Sequence, residues 1–386
     1  MKTYQQHNKT LRTAIGAVAA AALLVLVAGC RRELWLYSDQ FKQVELDIDW
    51  RNYDRDQQLY PHTPDPGGMT LWFFPRDGRT SYSYTTAEVR HYETYLSRGD
   101  YDALVIDYSP MEYGRQEFIG MDYANTAKVQ STASSYQPDS LVELFGPPCY
   151  AVALPNQRLS GNYTVSWQPE VIASDTLYGM HVNTGEYDNY IPYKDRNKYQ
   201  STLVHQLYNM EPVMIPWHMR VRVYIKGIYY LYQTQASIAG LADGYYLMQQ
   251  QTSDTPCLLA LDDWEVHVTG DNVGYVAKTF LTWGIQNQKN PFTTERQPGA
   301  DYSDRPADQI RLNFRFLLRD RKTVRYYHFD VGNLVRVFNN EYALRIDLLD
   351  GFEGQPDLPE VDAVNGIGWD AFVQPWEDGG NSEVSF

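Results

Sequence analysis

The stretch Val44-Glu45-Leu46-Asp47-Ile48-Asp49-Trp50 decides the fold class, because apolar and acidic residues alternate through it without a break. Side chains of a β-strand point to opposite faces in turn, so a period of two predicts a half-buried strand with one acidic, solvated face. Four acids lie in or just after this stretch: Glu45, Asp47, Asp49 and Asp54. Calcium needs ligands that wrap around the ion, and ligands along one strand face do not, so we expect no metal site here.

Short runs of strand length recur along the rest of the chain, separated by turn signals and with almost no long helical period. These runs are Met69–Phe74, Tyr101–Tyr108, Met219–Tyr232, Asp263–Val268, Tyr275–Trp283, Ile310–Leu318, Thr323–Val331 and Ala343–Leu348. The chain also contains 32 tyrosines, a residue that suits half-buried sheet surfaces. Together these features predict an all-β fold built from paired β-sandwiches.

The stretch from Thr85 to Gly99 fits two structures. Thr85 with Glu88 makes a capping box, and the apolar residues that follow lie on one helical face, but the same residues are acceptable in a strand. Both alternatives stay open here. After it, Ser109-Pro110-Met111-Glu112 predicts the cap of a single helical turn.

Residues 1–29 have the layout of an export signal, with a basic head, an apolar run and a small-residue exit. The apolar run from Ala14 to Ala28 is shorter than the ~20 residues that a transmembrane helix needs, which favours a cleaved signal. The exit Leu26-Val27-Ala28-Gly29-Cys30 resembles the lipobox of bacterial lipoproteins. It predicts a lipoprotein signal peptide, lipid attachment at Cys30, and anchoring in the cell outer membrane with the face undetermined.

The length of 386 residues suggests two domains of ordinary size after the signal. We expect a tether over 30–43, an N-terminal β-sandwich domain over 44–185 and a C-terminal β-sandwich domain over 200–386, with a polar stretch at the boundary. Cys149 and Cys257 remain after Cys30 is consumed by lipid. They are candidates for a disulfide, and two buried free thiols are the alternative.

The charge of the chain limits its partners. Loss of the three basic residues of the signal takes the net charge from −15 to −18, and no basic patch is visible in the sequence. An acidic chain repels phosphate backbones, so we expect no nucleic-acid partner.

Catalytic signatures are missing from the sequence. It contains no nucleophile elbow, zinc-protease helix, phosphate-binding loop or dinucleotide fingerprint, and its eight histidines are scattered. We therefore expect a protein that is not an enzyme and needs no cofactor, although an enzyme with an unfamiliar site stays open.

Two tyrosine clusters, Ile228–Tyr232 and Gly244–Leu247, could offer aromatic platforms for sugar rings. Tyr229 and Tyr245 are the candidate platform residues. Alternate tyrosines in a strand face opposite sides, so packing accounts for at least half of each cluster.

Several motifs, in this order along the chain, resemble a Bacteroidales lipoprotein family of unassigned function that is related to fimbrillins and type V pilus anchor proteins. After the lipobox, the motifs are Arg32-Glu33-Leu34-Trp35, Gly68-Met69-Thr70-Leu71-Trp72-Phe73-Phe74-Pro75, Leu96-Ser97-Arg98-Gly99-Asp100-Tyr101, Gly240-Leu241-Ala242-Asp243-Gly244 and Phe329-Asp330-Val331-Gly332. The resemblance implies two transthyretin-like β-sandwich domains and pilus subunits as partners through strand exchange.

In such pili, shaft subunits lose their lipid and first strand to an arginine-directed protease, whereas anchor subunits keep both. Arginines that could be cut here are Arg31, Arg32, Arg51 and Arg55, but nothing marks a cleavage loop. The sequence therefore predicts a membrane-tethered, non-catalytic lipoprotein, an anchor-like or accessory fimbrial subunit in cell adhesion. The alternative is a surface glycan-binding lipoprotein.

Overall fold

The computed structural model of the chain describes residues 41–52, 65–134, 165–182, 206–289, 305–338 and 343–362. Almost all regular structure in these ranges is β-strand, so the predicted all-β fold is confirmed. The first strands along the chain are β1 (Phe41–Ile48), β2 (Met69–Pro75), β3 (Tyr82–Thr86), β4 (His91–Ser97), β5 (Gly99–Asp107), β6 (Gln116–Ile119), β7 (Lys128–Ser131), β8 (Val165–Ser166) and β9 (Ala173–Val182). The strands that follow are β10 (Gln206–Met210), β11 (Val213–Met214), β12 (Trp217–Lys226), β13 (Leu231–Ala242), β14 (Gly244–Tyr246), β15 (Gln251–Thr252), β16 (Pro256–Leu261), β17 (Glu265–Gly270), β18 (Val273–Thr282), β19 (Arg311–Leu318), β20 (Val324–Asp330), β21 (Arg336–Phe338) and β22 (Ala343–Leu348).

These described strands form five sheets. Their strand orders are β10-β1-β4, β11-β9-β5-β2-β3, β17-β18-β12-β22-β21, β20-β19-β13-β16-β8 and β15-β14-β7-β6. Most neighbours are antiparallel, but β22 lies parallel to β12, with Ile346 opposite Val221, and β8 lies parallel to β16.

Helical structure in the described part of the chain is limited to short 3-10 turns. One of them, Pro110–Glu112, begins at the predicted cap, where Ser109 and Glu112 form a capping box. No helix within the described ranges is long and apolar enough to cross a bilayer.

The stretch that fitted both helix and strand adopts strand structure. Thr85 lies in β3, where its Oγ1 is 2.9 Å from Thr70 Oγ1 on the neighbouring β2. Leu96 lies in β4 and is buried. The pairing of β3 with β2 takes Thr85 into a sheet, and the local capping signal does not start a helix.

The larger apolar core lies between the sheets β17-β18-β12-β22-β21 and β20-β19-β13-β16-β8. Met219, Val221 and Val223 enter it from β12, and Phe314 and Phe316 enter it from β19. Two sheets that bury one face each against a shared core make a β-sandwich.

A second apolar core lies between the sheets β11-β9-β5-β2-β3 and β15-β14-β7-β6. Trp72 of β2 and Leu104 of β5 pack there with Val129 of β7 and Tyr245 of β14. The sheet on one side of this core therefore combines strands from distant parts of the chain, because β14 pairs with β7.

Gly240 explains one of the quoted motifs. It has a φ of +94° and lies at a bulge in β13, between Ala239 and Leu241. A Cβ at this position would lie 1.9 Å from the carbonyl oxygen of Gln309. At Gly244 an added Cβ would lie 2.4 Å from the carbonyl oxygen of Val129. The motif marks two places where backbone approaches backbone too closely for any other residue.

The chain divides into two compact units. The described residues of the smaller unit are 41–45, 93–99, 181–182 and 206–207, and the larger unit contains the others. In the smaller unit, Gln43 Nε2 donates a 2.8 Å hydrogen bond to Glu93 Oε2.

The predicted domain division, with its boundary between 185 and 200, falls within 183–205, outside the described residues, and stays a prediction. Of the predicted tether, residues 30–40 also lie outside. Its last residues, 41–43, belong to β1, so the first strand domain begins at least three residues before the predicted bound at 44.

Candidate functional site

The first strand of the described ranges, β1, is the middle strand of its three-stranded sheet. Val44, Leu46 and Ile48 are buried, while the acidic residues between them are partly exposed, as the alternation predicts. A strand with a partner on each side has no free edge, so β1 is an integral part of the fold.

Backbone hydrogen bonds continue at the end of β1, within the larger unit. Ile48 N donates to the carbonyl oxygen of Arg90 at 2.8 Å, and Asp49 N donates to that of Met210 at 2.9 Å. The chain is thus held from both sides as it leaves the strand.

A pocket of about 620 Å³ opens beside this point. The indole of Trp50 is buried there, and its Nε1 donates a 2.6 Å hydrogen bond to the carbonyl oxygen of Val89. Apolar residues and charged residues both line the pocket. The lining residues are Asp47, Ile48, Asp49, Trp50, Arg51, Asp65, Arg90, Asn209, Met210 and Glu211.

Each arginine of the pocket is paired with an aspartate. Arg51 Nε lies 2.6 Å from Asp49 Oδ2, and Arg90 Nε lies 2.6 Å from Asp65 Oδ2. The hydrogen bonds from the side chain and backbone of Arg51 lower the pKa of Asp49. These ion pairs are largely exposed, so they position the strand end more than they stabilise the fold.

The acids of the first stretch do not converge on one point. Asp47 Oδ1 lies 2.6 Å from His91 Nδ1, whereas Asp49 turns to Arg51. Asp54 lies outside the described residues. Within the described ranges, no group of three or more His, Cys, Asp or Glu side chains is arranged to hold a metal ion.

Most residues of the predicted lipid site and cleavage sites lie outside the described ranges. Cys30, Arg31, Arg32 and Arg55 lie outside the described residues, so lipid attachment at Cys30 stays a prediction. Arg51 is described. It lies in the 3-10 turn directly after β1, and 83% of its side chain is exposed.

Cys257 is a buried free thiol on β16. Its Sγ donates to the carbonyl oxygen of Ala242 at 3.3 Å, and burial raises the pKa of the thiol. Cys149 lies outside the described residues, so the predicted disulfide between the two stays untested.

The two candidate platform tyrosines have different surroundings. Tyr245 is 2% exposed and belongs to the second apolar core, where burial raises the pKa of its hydroxyl. A ring with no free face cannot stack on a sugar, so the structure removes Tyr245 from the platform. Tyr229 is 40% exposed in the 3-10 turn before β13, and its platform role stays a prediction.

A buried polar cluster was not predicted from the sequence. Lys128 Nζ lies 2.8 Å from Asp243 Oδ1 and 3.0 Å from Gln130 Oε1, and Ser253 Oγ donates to the same aspartate oxygen. Only 8% of the Lys128 side chain is exposed. Lys128 and Asp243 are distant in sequence, so no local pattern predicts their contact. The Gly-rich motif at 240–244, which contains Asp243, is the sequence signal that lies nearest to the cluster.

Solved structures resemble the chain to different degrees. A candidate adhesin from Bacteroides ovatus has a TM-score of 0.51 at 16% identity, covering 83% of this chain and 94% of that one. The fimbrial anchor protein Mfa2 from Porphyromonas gingivalis has a TM-score of 0.42 at 10% identity, covering 79% and 88%. A candidate polysaccharide-binding protein from Bacteroides thetaiotaomicron has a TM-score of 0.37 at 8% identity, covering 75% and 80%. The first likeness supports the fold class.

No curated protein matches the chain. Residues 29–262, more than half of the chain, match a family described as a domain of unknown function, DUF5119. The match includes four of the motifs quoted after the lipobox, those at 32–35, 68–75, 96–101 and 240–244, and the predicted relationship to a family of unassigned function is confirmed. The chain therefore belongs to the DUF5119 family of domains of unknown function.

Proposed function

We propose that the chain is a membrane-tethered, non-catalytic lipoprotein that serves as an anchor-like or accessory fimbrial subunit in cell adhesion. The observation that carries the proposal is β1, the first strand of the described ranges, because in the pili that the sequence resembles an anchor subunit keeps its first strand and a shaft subunit loses it. Here β1 is the middle strand of its sheet, with Val44, Leu46 and Ile48 buried.

Removal of β1 would expose apolar surface. It would also leave the facing edges of β4 and β10 without partners, and unpaired strand edges invite pairing with other chains. The bonds from Ile48 and Asp49 to Arg90 and Met210 extend the hold on the chain past the strand. These contacts favour a subunit that retains its own strand and meets its neighbours by another surface.

The fold supports the same class of function only in general terms. The likeness to a candidate adhesin from Bacteroides ovatus fits an adhesion-related surface protein, and fold alone does not fix a role. The lipobox supplies the tether of the proposal, with Cys30 as the attachment point.

Mass spectrometry of the mature protein, isolated from its native membrane, tests the proposal. We expect an N-terminal peptide that begins at a lipid-modified Cys30 and a chain that still contains β1. A mature chain that starts after Arg51, or an unmodified Cys30, would overturn it. Cys257→Ser is the matched control for Cys30→Ser, because it removes a thiol without touching the lipobox.

Association with fimbrial polymers is tested by a separate experiment. We expect the wild-type protein to co-purify with surface polymers, and we expect Cys30→Ser to reduce the polymers retained on the cell. A monomeric protein whose deletion leaves fibres and adherence unchanged would contradict a fimbrial role.

A surface glycan-binding role is the second candidate. Tyr229 and Tyr232 favour it, because they are 40% and 50% exposed on either side of the start of β13. Binding on a glycan array that weakens in Tyr229→Ala would support this role. An array without binding, or binding indifferent to that substitution, would end it.

A further inference from the structure

The corner between β4 and β5 carries a pattern that the proposed function does not use. β4 ends at Ser97 and β5 begins at Gly99, and the two strands belong to different sheets. Arg98 therefore lies where the chain passes from one sheet to the other. The residues at this corner are Arg98-Gly99-Asp100, and we call them the corner tripeptide.

Both charged residues of the corner tripeptide, Arg98 and Asp100, are exposed. Within the described part of the chain, no hydrogen bond or ion pair holds the guanidinium of Arg98. A side chain of this kind can enter a pocket on another molecule without breaking a contact on its own chain. The cost of binding is then limited to the ordering of the side chain itself.

The backbone of Asp100 is held in place while its side chain reaches the surface. The carbonyl oxygen of Asp100 accepts a 2.9 Å hydrogen bond from Arg76 N, just after β2. The next residue, Tyr101, is opposite Pro75 of β2 and is buried. Because side chains alternate along a strand, the burial of Tyr101 directs Asp100 to the opposite face. The guanidinium of Arg76 bonds to Asp102 on that face, with Nε and Nη2 at 3.0 and 2.6 Å from Oδ1.

Gly99 separates the two charged residues. It has a φ of +150°, a backbone conformation that residues with a Cβ rarely adopt. It also leaves no side chain between Arg98 and Asp100, so a partner can approach the backbone closely there. The Cα atoms of residues two apart are at most about 7 Å apart. The corner tripeptide thus offers one cation and one anion to a single compact site.

We propose that the corner tripeptide is bound by a cell-surface receptor that offers a divalent cation to the Asp100 carboxylate and an acidic pocket to the Arg98 guanidinium. Mg²⁺ and Mn²⁺ prefer oxygen ligands and accept a carboxylate where a coordination position is open. A guanidinium pairs with a carboxylate through two parallel hydrogen bonds, so the second half of the receptor site is acidic.

Opposite charges two residues apart narrow the class of partner. A nucleic acid or an acidic polysaccharide would attract Arg98, but its own charge would be repelled by Asp100. A metal ion alone would also lack ligands. Within the described ranges, no group of three or more His, Cys, Asp or Glu side chains is arranged to hold one. The cation therefore comes with the receptor, and the partner is a protein.

Binding of a defined receptor to the purified full-length protein in detergent tests the proposal. The probe is a purified integrin ectodomain that binds Arg-Gly-Asp peptides, in buffer with Mn²⁺. We expect saturable binding that EDTA removes and that a synthetic Arg-Gly-Asp peptide displaces. The same peptide with Glu in place of Asp should not displace the receptor.

Substitutions in the corner tripeptide should weaken this binding. Asp100→Glu keeps the charge but moves the carboxylate outward by one methylene. We expect it to weaken binding at least about tenfold, the scale of one charge-assisted hydrogen bond. Arg98→Ala should have an effect of similar size without lowering the melting temperature, because the side chain is exposed. Arg98→Lys should also weaken binding, since an ammonium cannot form the paired hydrogen bonds.

The chain supplies a matched control for each substitution. Asp271 is exposed and follows Gly270 in the turn between β17 and β18, but the residue before that glycine is Thr269. Asp271→Glu therefore makes the same change at a Gly-Asp pair that lacks the arginine. Arg325→Ala removes an exposed arginine of β20. We expect both controls to bind as the wild type does, and thermal melting confirms that each variant is folded.

Three results would overturn the proposal: no receptor binding in Mn²⁺, binding that EDTA leaves unchanged, or equal losses in Asp100→Glu and Asp271→Glu. None of these results depends on lipid attachment or on fimbriae. The proposal and the proposed function therefore fail separately.

Discussion

Lys128 Nζ lies 2.8 Å from Asp243 Oδ1, and this ion pair ties β7 to the residue between β13 and β14. It joins residues 115 positions apart at a place where the backbone of Gly244 approaches β7. Both side chains are mostly shielded from water, which makes the pair sensitive to loss of either partner.

Removing one member of this pair should therefore be costly. We expect Lys128→Met to lower the free energy of unfolding by about 3 kcal/mol, because Asp243 would keep a poorly solvated charge. Urea unfolding followed by tryptophan fluorescence measures it. Arg79→Met, at an exposed pair with Asp77, should change stability by less than about 1 kcal/mol. Equal losses in the two variants would show that burial of the Lys128 pair has no special effect.

Gly240 should not tolerate a side chain. Gly240→Ala would place a Cβ 1.9 Å from the carbonyl oxygen of Gln309 at a φ of +94°, so we expect a loss of more than about 2 kcal/mol in the same assay. Gly78→Ala is the control, since Gly78 has a φ of +89° and nothing within 4 Å of an added Cβ. We expect this variant to lose only about 1–2 kcal/mol of unfolding free energy, which is the cost of placing a residue with a Cβ at positive φ. Similar losses at both positions would mean that the clash is relieved by movement.

The buried face of β1 should contribute strongly to stability. We expect Leu46→Ala to cost about 2–5 kcal/mol, the range for deleting a large side chain from a core, and to make the chain more sensitive to added protease. Glu45→Ala, on the partly exposed side of the same strand, should cost much less. If Leu46→Ala unfolds at the same urea concentration as the wild type, β1 is dispensable to the fold. The structural argument for a retained strand then fails.

His328 should make stability depend on pH. Burial, reinforced by the positive charge of Arg311, lowers the pKa of His328 below its ordinary value of 6.5. As the pH falls through 6.5 the unfolded chain takes up a proton and the folded chain does not, so stability declines until the folded pKa is reached. In His328→Gln this decline should be smaller between pH 7 and 5. His267→Gln controls for loss of an imidazole, and an unchanged decline in His328→Gln would contradict the prediction.

The thiol of Cys257 should be unreactive in the native protein. Burial raises the pKa of Cys257, and reaction with a disulfide reagent needs the thiolate. We expect no modification in buffer and one modified Cys257 in denaturant, measured by peptide mass. A peptide linked to Cys149 in a digest without reductant would show instead that the two cysteines are paired.

Much of the strand pattern could be predicted from the sequence because period two is a local signal. The alternation around Leu46 correctly placed a half-buried strand, and Ala343–Leu348 matches β22 in both bounds. The stretch around Thr85 was ambiguous because its capping signal is local, whereas its strand pairing with Thr70 is made 15 residues away.

The polar sites could not be predicted, because their members are far apart in the chain. Asp243 is one of 48 acidic residues, and nothing local marks it as the partner of Lys128. Arg220, Arg336 and Arg345 likewise become neighbours only through strand register, so they form no basic run in the sequence.

The position of β22 sets an order on folding. It lies between β12 and β21, and its contacts with β12 join residues about 125 apart, such as Arg222 and Asp347. The middle of this sheet therefore stays open until nearly all of the described chain is available, and such distant pairing makes folding slow. A growing chain would display the unpaired edge of β12 from the synthesis of Lys226 until that of Ala343, which makes that edge the natural place for a chaperone to act.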